Sequence, residues 1–230
     1  MYQKWRDLTF LHFAAEPEVI QKLIPPELTI DTFPDESGKE MAWIGLVPFW
    51  MTDIRPRGLP SIPQFSTFPE TNVRTYVHRK GRDPGVWFFS LDAANRIACS
   101  WAIQFFGLPY HWSNMNVERS NGSVNYRCSR RLRPQTICNA MFDTLTALPL
   151  PQSGSFEFFL IERYLLYAKR DGRLFTGIVH HKPYPLQSSR LRELDQNLIE
   201  ANGIQTGNWA HCVFSPGVDV EVFGLREVRS

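Results

Sequence analysis

Two dipeptides, Asn121-Gly122 and Asp171-Gly172, constrain the fold of this chain more than any other feature of its sequence. Each stands between two runs of strand-forming residues. Asn-Gly and Asp-Gly favour the two-residue turn of a β-hairpin, because both positions of that turn require positive φ angles. The predicted strands of the two hairpins are 113–119 with 123–129, and 164–169 with 174–180. A chain with two such hairpins is expected to be rich in antiparallel β-structure.

Further strands and helices are predicted from hydrophobic periodicity and turn residues. The additional strands are 9–14, 28–33, 41–54, 71–79, 86–91, 210–214 and 218–223. Gly45 and Pro48, inside one of these runs, indicate a bent or bulged strand. Helices are predicted over 17–23, 94–106, 155–161 and 188–201, the last from an apolar face that begins with Leu191 and Leu194. Residues 55–69 contain four prolines and are predicted to form a loop, and 130–154 are predicted to be irregular.

The 230 residues are predicted to form a single domain, 1–230, because no repeat, linker or low-complexity segment divides them. β-Rich domains of about 200–250 residues are common. The formal net charge of +2 is too small to indicate a nucleic-acid or acidic membrane partner. No apolar run approaches the roughly 18 residues of a membrane-spanning helix. Neither nucleic acid nor membrane is therefore expected as a partner.

The four cysteines, Cys99, Cys128, Cys138 and Cys212, show no Cys-x-x-Cys spacing of a zinc or redox site. Three of them lie in apolar or alternating runs, as buried free thiols do. We therefore expect all four to be reduced. The N-terminal residues show no apolar segment of the kind a signal peptide contains. Together these features predict a cytoplasmic location.

The run 70–77 (ETNVRTYV) is the most informative for function. Alternate residues of a strand share a face, so Glu70, Asn72, Arg74 and Tyr76 are predicted to lie together. A carboxylate, an amide, a guanidinium and a phenol suit the orientation of a small polar ligand. A solvated strand face with a Glu–Arg pair explains the same pattern. Glu162, at the end of a predicted short helix, is a candidate for a second carboxylate near the same site.

Other chemical motifs are missing from the sequence. His12, His111 and His211 are isolated in apolar settings, where a hydrogen-bonded core histidine is the common role. The adjacent His180 and His181 point to opposite faces of a strand and so do not readily share a metal ion. The sequence has no nucleophile elbow, Walker loop or dinucleotide fingerprint. We therefore expect neither a metal nor a cofactor.

Several stretches together resemble the YqjF-like family of uncharacterised conserved bacterial proteins. They are residues 5–8 (WRDL) with 24–28 (IPPEL), 70–77 (ETNVRTYV) with 85–93 (GVWFFSLDA), 158–164 (FFLIERY) with 181–186 (HKPYPL), and 215–220 (SPGVDV). The resemblance spans nearly the whole chain. That family is similar to acetoacetate decarboxylase, which implies an α+β, mainly β fold. The implied architecture is a β-barrel or cone-like sheet with a few peripheral helices and a ligand cavity inside.

The decarboxylase reaction does not carry over with the resemblance. That enzyme uses a Schiff-base lysine whose pKa a second lysine lowers. The corresponding stretch here, 102–110 (AIQFFGLPY), contains no lysine. Lys80 and Lys169 lie near hairpin tips with other charges, and Lys182 lies in a proline-flanked loop. We therefore expect no acetoacetate decarboxylase activity.

Three functions remain open. The first is an enzyme acting on a small anionic or carbonyl-containing molecule, with Glu70 as acid or base, Arg74 holding the anion, and Asn72 and Tyr76 orienting it. The second is a non-catalytic protein that binds or senses a small molecule in the same cavity. The third is a protein that acts through a partner or as a homodimer, its polar strand face being structural.

Overall fold

The computed structural model describes residues 1–62 and 66–228, and its fold is mainly β. The strands are β1 Tyr2–Ala15, β2 Thr29–Ile30, β3 Phe33–Pro34, β4 Glu40–Arg55, β5 Phe68–Arg79, β6 Arg82–Ala93, β7 Tyr110–Ser120, β8 Ser123–Arg130, β9 Ile137–Ala147, β10 Leu165–Arg170, β11 Arg173–His181, β12 Gln187–Gln196, β13 Trp209–Val222 and β14 Arg226–Glu227. The helices are α1 Pro17–Gln21, α2 Arg96–Phe106 and α3 Phe156–Ile161, and a 3-10 turn spans Glu200–Asn202. In the described part of the chain, no helix has the length and apolar character needed to cross a membrane.

The sheet closes on itself twice. Five adjacent strands, in the order β13-β1-β4-β5-β6, form a shared central sheet. Strands β10 and β11 connect its two outer strands at one end and close the first ring, since β10 pairs with β6 and β11 pairs with β13. Strands β7, β8, β9 and β12 connect the same two strands at the other end. The result is a ring-like sheet rather than a clear barrel, in agreement with the α+β, mainly β fold expected from the sequence.

The two faces of the central sheet bury two different cores. Tyr76 of β5 packs into the first core, with residues of β10 and β11. Val73 and Val77 pack into the second core, with residues of β8 and β9. This division follows from the strand period, which points successive side chains to opposite faces. A polar residue on one face of β5 is therefore enclosed by one ring.

Two bulges keep side chains directed into the first core. Between Arg6 and Leu11, β1 carries one more residue than β4, and Asp7 in that segment has a φ of 51°. Pro48, which has no N–H to donate, lies on β4 opposite this bulge, so the extra residue belongs to β1 and not to the strand that contains the proline. A second bulge, on β6, lets both Phe88 and Leu91 face the same core although they are three residues apart.

The predicted turns and caps are confirmed. Asn121 and Gly122 have φ angles of 45° and 79°, and they join β7 to β8 in a two-residue hairpin. Asp171 and Gly172 do the same between β10 and β11. Helix α2 connects the parallel strands β6 and β7, and a crossover of this kind is what a parallel pair requires. Ser155 accepts a hydrogen bond from the Phe158 amide and caps α3.

The helix predicted over 188–201 is wrong. These residues form most of β12, which pairs with β9, and then a 3-10 turn. A bulge between Leu191 and Glu193 inserts one extra residue, so Leu191 and Leu194 face the same core in an extended strand. A spacing of three residues, typical of a helix, therefore arises here from a strand irregularity.

The prediction that 130–154 is irregular is also wrong for half of its length. Strand β9 runs through it, and Cys138, Ala140 and Phe142 are buried at alternate positions. This period of two was present in the sequence. The predicted loop over 55–69 is confirmed for 56–62 and is shortened at its end, where β5 begins at Phe68. Its residues 63–65 lie outside the described part of the chain.

All four cysteines are free thiols, as predicted. Cys99, Cys128 and Cys138 are buried, and Cys212 is half-buried. Burial raises the pKa of Cys99 to about 12 and that of Cys212 to about 11. Thiols held in this way stay protonated and react slowly.

Candidate functional site

The polar face of β5 is enclosed by protein. Glu70, Asn72, Arg74 and Tyr76 are 2%, 6%, 8% and 0% exposed. These values exclude the alternative that this face is solvated. Each of these polar groups needs a hydrogen-bond or charge partner, because burying a charge or an amide without one costs free energy.

Three of these four residues line a pocket of about 130 Å³ inside the first ring. They are Glu70, Asn72 and Arg74, and they stand in a row along β5. The other walls come from β1, β4, β6, α2, β10 and β11, and most of the lining side chains are aliphatic or aromatic. Tyr76 and Glu162 are not among the described residues that line the pocket.

Arg74 is a buried cation, and no carboxylate of the described residues pairs with it. Its Nη2 donates to the carbonyl oxygen of Leu160 at 3.2 Å and, at a longer 3.5 Å, to the hydroxyl of Tyr76. The guanidinium also lies 5.5 Å from the ring centre of Phe10. Its Nε is buried and has no hydrogen-bond partner. Among residues 1–62 and 66–228, no carboxylate lies within ion-pair distance of it.

Gly45 makes room for the stem of Arg74. The two residues are directly opposite each other on β4 and β5. A Cβ at position 45 would lie 3.2 Å from the Cγ of Arg74 and 3.2 Å from the hydroxyl of Tyr76. A side chain there would push the guanidinium out of place. The glycine that interrupts the apolar run of β4 therefore leaves the space that the stem of Arg74 occupies.

Asn72, the middle residue of the row, also has an unsatisfied atom. Its Oδ1 is buried and has no donor within hydrogen-bond distance. The side-chain amide of asparagine carries an acceptor oxygen and an NH₂ group with two donors, and a 180° rotation of the amide exchanges their positions. Asn72 and Arg74 therefore both line the pocket, and each also has a buried atom without a hydrogen-bond partner among the described residues.

Glu70, at the other end of the row, is held as an uncharged acid near neutral pH. Its Oε2 accepts a hydrogen bond from the hydroxyl of Tyr110 at 2.9 Å. Burial raises the pKa of Glu70 to about 8, against the opposing effect of that hydrogen bond, and the nearby negative charge of Asp92 adds to the rise. A protonated carboxyl group in an apolar pocket donates a hydrogen bond and delivers a proton.

A chain of hydrogen bonds leads from Arg74 away from the pocket. Arginine only donates, so the Tyr76 hydroxyl accepts from Arg74 and donates to Nε2 of His12 at 2.7 Å. Burial lowers the pKa of His12 well below its usual value and that of His211 to about 4, so both rings are neutral. The proton of His12 is then on Nδ1, which donates to Nδ1 of His211 at 3.0 Å. Tyr76 and His12 thus position Arg74 from behind.

Glu162 has a different role in the geometry. Its Oε1 accepts from the backbone amide of Tyr184 at 3.2 Å, and its Oε2 accepts from the hydroxyl of Tyr164. The ring of Tyr184 lines the pocket. Glu162 therefore fixes part of the wall rather than facing the space inside.

The described residues around the pocket include no lysine. Lys80 and Lys182 are exposed, and Lys169 lies 3.3 Å from Glu27 on the outside. Within the described ranges, no group of three or more histidine, cysteine, aspartate or glutamate side chains is arranged to hold a metal ion. The chemistry available in the pocket is therefore that of guanidinium groups, side-chain amides and an acid–phenol pair.

Comparison with known sequences places the chain in a family. The sequence profile of DUF2071, described as an uncharacterized conserved protein, matches residues 2–219. The chain belongs to the DUF2071 family. The uncharacterized protein YqjF of Bacillus subtilis is 35% identical to this DUF2071 protein over 204 residues, which are 89% of this chain and 82% of that one. The resemblance to the YqjF-like family that the sequence motifs indicated is confirmed.

Solved structures share the fold of this DUF2071 protein at low sequence identity. Acetoacetate decarboxylase from Legionella pneumophila aligns with a TM-score of 0.68 and 12% identity, covering 99% of this chain and 87% of that one. The enduracididine biosynthesis enzyme MppR, in complex with pyruvate, aligns with a TM-score of 0.66 and 13% identity, covering 98% and 89%. An acetoacetate decarboxylase-like enzyme from Sphingomonas wittichii aligns with a TM-score of 0.66 and 11% identity, covering 99% and 92%. At such identities the likeness extends to the fold alone.

Some residues at this site were not identified from the sequence. Tyr110, the partner of Glu70, follows α2 and lies 40 positions from Glu70 along the chain. His12 and His211 were taken as isolated histidines, yet they contact each other across β1 and β13. A polar residue in an apolar run is the signal that all three share, but it does not indicate which partner each one meets.

Proposed function

We propose that this DUF2071 protein binds a small organic carboxylate in the pocket, with Arg74 as the group that holds the carboxylate. The observation that carries this proposal is that the buried guanidinium of Arg74 lines the pocket and has no carboxylate within ion-pair distance among the described residues. A buried cation is stable when a carboxylate or ligand compensates it. A planar guanidinium is well matched to a carboxylate.

Two further residues support a ligand of this kind. Asn72 is next in the row toward Glu70, and its side-chain NH₂ group donates a hydrogen bond to an oxygen atom of the same molecule. Glu70, protonated at neutral pH, donates to a carbonyl or hydroxyl oxygen at the other end of the row. MppR, which shares the fold, has been solved with pyruvate, which is itself a small carboxylate.

Acid catalysis is a second candidate function, and the environment of Glu70 favours it. A general acid works best when its pKa lies near the operating pH, and the pKa of Glu70 is about 8. With no lysine among the described lining residues, the reaction proceeds without a Schiff base. The step assigned to Glu70 is protonation of a ligand carbonyl while Arg74 holds the carboxylate.

Replacing Arg74 by methionine tests the binding function. Methionine keeps most of the apolar stem and removes the charge and the donors. In the unmodified protein, a carboxylate present at about 100 times its Kd is expected to raise Tm by roughly 5–10 °C. In Arg74→Met the rise should fall below about 1 °C, a loss that corresponds to roughly a hundredfold weaker affinity.

The matched control removes the same charge elsewhere. Arg127 is exposed on β8, outside the pocket, and Arg127→Met should leave the carboxylate-dependent rise in Tm unchanged. Near-ultraviolet circular dichroism of both variants checks that the fold is intact. An unaltered response in a folded Arg74→Met variant contradicts the proposal.

A further inference from the structure

Polar groups occupy one side of the pocket and apolar groups the rest. The polar row lies on β5, with Tyr110 beside Glu70. The opposite walls are apolar, including Ala98 and Ala102 of α2, Leu166 of β10 and Val179 of β11. Apart from Gln3 and Arg163, a ligand that fills this space therefore meets polar groups along one edge and mostly hydrocarbon elsewhere.

Arg163 also lines the pocket but does not add a second free cation. Its Nη1 pairs with Asp31 at 2.6 Å, and its Nε donates to the carbonyl oxygen of Phe159 at 2.6 Å. Arg74 is thus the cationic side chain of the lining that remains without a carboxylate among the described residues. One cation matches one carboxylate and leaves no partner for a second.

The size of the pocket sets the size of the ligand. Its volume is about 130 Å³, and a cavity needs roughly 10–15 Å³ to hold one water, so there is room for about ten non-hydrogen atoms. A short acid with a few carbon atoms would leave much of the apolar wall uncovered. Covering that wall is favourable, since each buried methylene strengthens binding.

We propose that the natural ligand is a monocarboxylic acid with an apolar chain or ring, of about ten non-hydrogen atoms, and not a short polar acid. This inference rests on the proposed function, because it assigns the carboxylate to Arg74. It adds the hydrophobic tail, which lies against α2, β10 and β11. A straight-chain acid of eight carbons and an arylacetic acid both meet this description.

A chain-length series tests the inference. The Kd values of acetate, butyrate, hexanoate, octanoate and phenylacetate, with pyruvate as a short polar acid, are measured by isothermal titration calorimetry at one pH and salt concentration. Each added methylene should tighten binding about threefold until the pocket is full. Octanoate should then bind roughly 100-fold more tightly than butyrate, and more tightly than pyruvate. Octan-1-ol, which has the chain without the carboxylate, should bind at least tenfold more weakly than octanoate.

The outcomes separate the two proposals. Binding of pyruvate or acetate as tight as that of octanoate would overturn the apolar tail and leave the carboxylate function in place. Equal binding of octan-1-ol and octanoate would overturn both, since the carboxylate would contribute nothing. Absence of binding by every acid would also overturn both. A rising series in the unmodified protein that is lost in Arg74→Met supports both together.

Discussion

Replacing Glu70 by glutamine is expected to stabilise the protein, and the gain should grow with pH. The pKa of Glu70 is raised from 4.5 to about 8 in the folded state. Between these two values the unfolded chain releases a proton that the folded protein keeps, so the free energy of unfolding falls as the pH rises. Glutamine has no proton to lose and still offers an oxygen to Tyr110. At pH 8.5 the variant should be more stable by on the order of 3–5 kcal/mol.

Urea unfolding between pH 4 and pH 9 measures this effect. The two proteins should have similar stability near pH 4, where Glu70 is protonated in both states, and should diverge above pH 5. The control is Glu36→Gln, at an exposed position, which should leave the pH dependence of the unmodified protein in place. Parallel stability curves for Glu70→Gln and the unmodified protein would show that Glu70 does not keep its proton in the fold.

The second large effect concerns the ion pair behind the pocket wall. Asp92 of β6 and Arg130 of β8 are 0% and 4% exposed. They form a two-pronged pair, with both nitrogen–oxygen distances at 2.9 Å, and Ser113 donates to the same carboxylate at 2.7 Å. Arg130→Met leaves a buried carboxylate without its cation. The variant should lose about 3–5 kcal/mol of stability at pH 7.

A double replacement and a surface pair make this result interpretable. Asp92→Asn combined with Arg130→Met removes both charges and should recover most of the loss, because the destabilisation comes from the uncompensated charge. Arg119 pairs with Asp7 at the surface, and Arg119→Met should cost no more than about 1 kcal/mol. If Arg130→Met lowers the free energy of unfolding as little as Arg119→Met does in chemical denaturation, the buried Asp92–Arg130 pair does not stabilise the fold as we predict.

Much of the fold followed from local signals in the sequence. The turns at Asn121-Gly122 and Asp171-Gly172 were predictable because these residues readily adopt the positive φ angles that the turns require. That preference is local and depends little on the rest of the chain. The strand β12 was missed because the spacing of Leu191 and Leu194 is ambiguous without the bulge that produces it. Such a bulge is fixed by pairing with β9, a distant part of the chain, and so it has no local signature.

The candidate site divides in the same way. That Glu70, Asn72 and Arg74 share a face was predictable from the strand period alone. Whether that face is buried depends on the packing of β10, β11 and α2 around it. The sequence of residues 70–77 carries no information about those elements. For the same reason Tyr76, predicted as a ligand contact, lies behind Arg74 against His12, and Glu162 fixes Tyr184. Their assignment to ligand binding stays a prediction.

A crystal structure with a bound carboxylate tests the central claim most directly. Crystals are grown with the tightest-binding acid of the chain-length series. We predict a carboxylate oxygen within about 2.7–3.2 Å of a guanidinium nitrogen of Arg74, with the rest of the molecule inside the first ring. A carboxylate bound elsewhere, with no oxygen near the guanidinium of Arg74, would contradict this prediction.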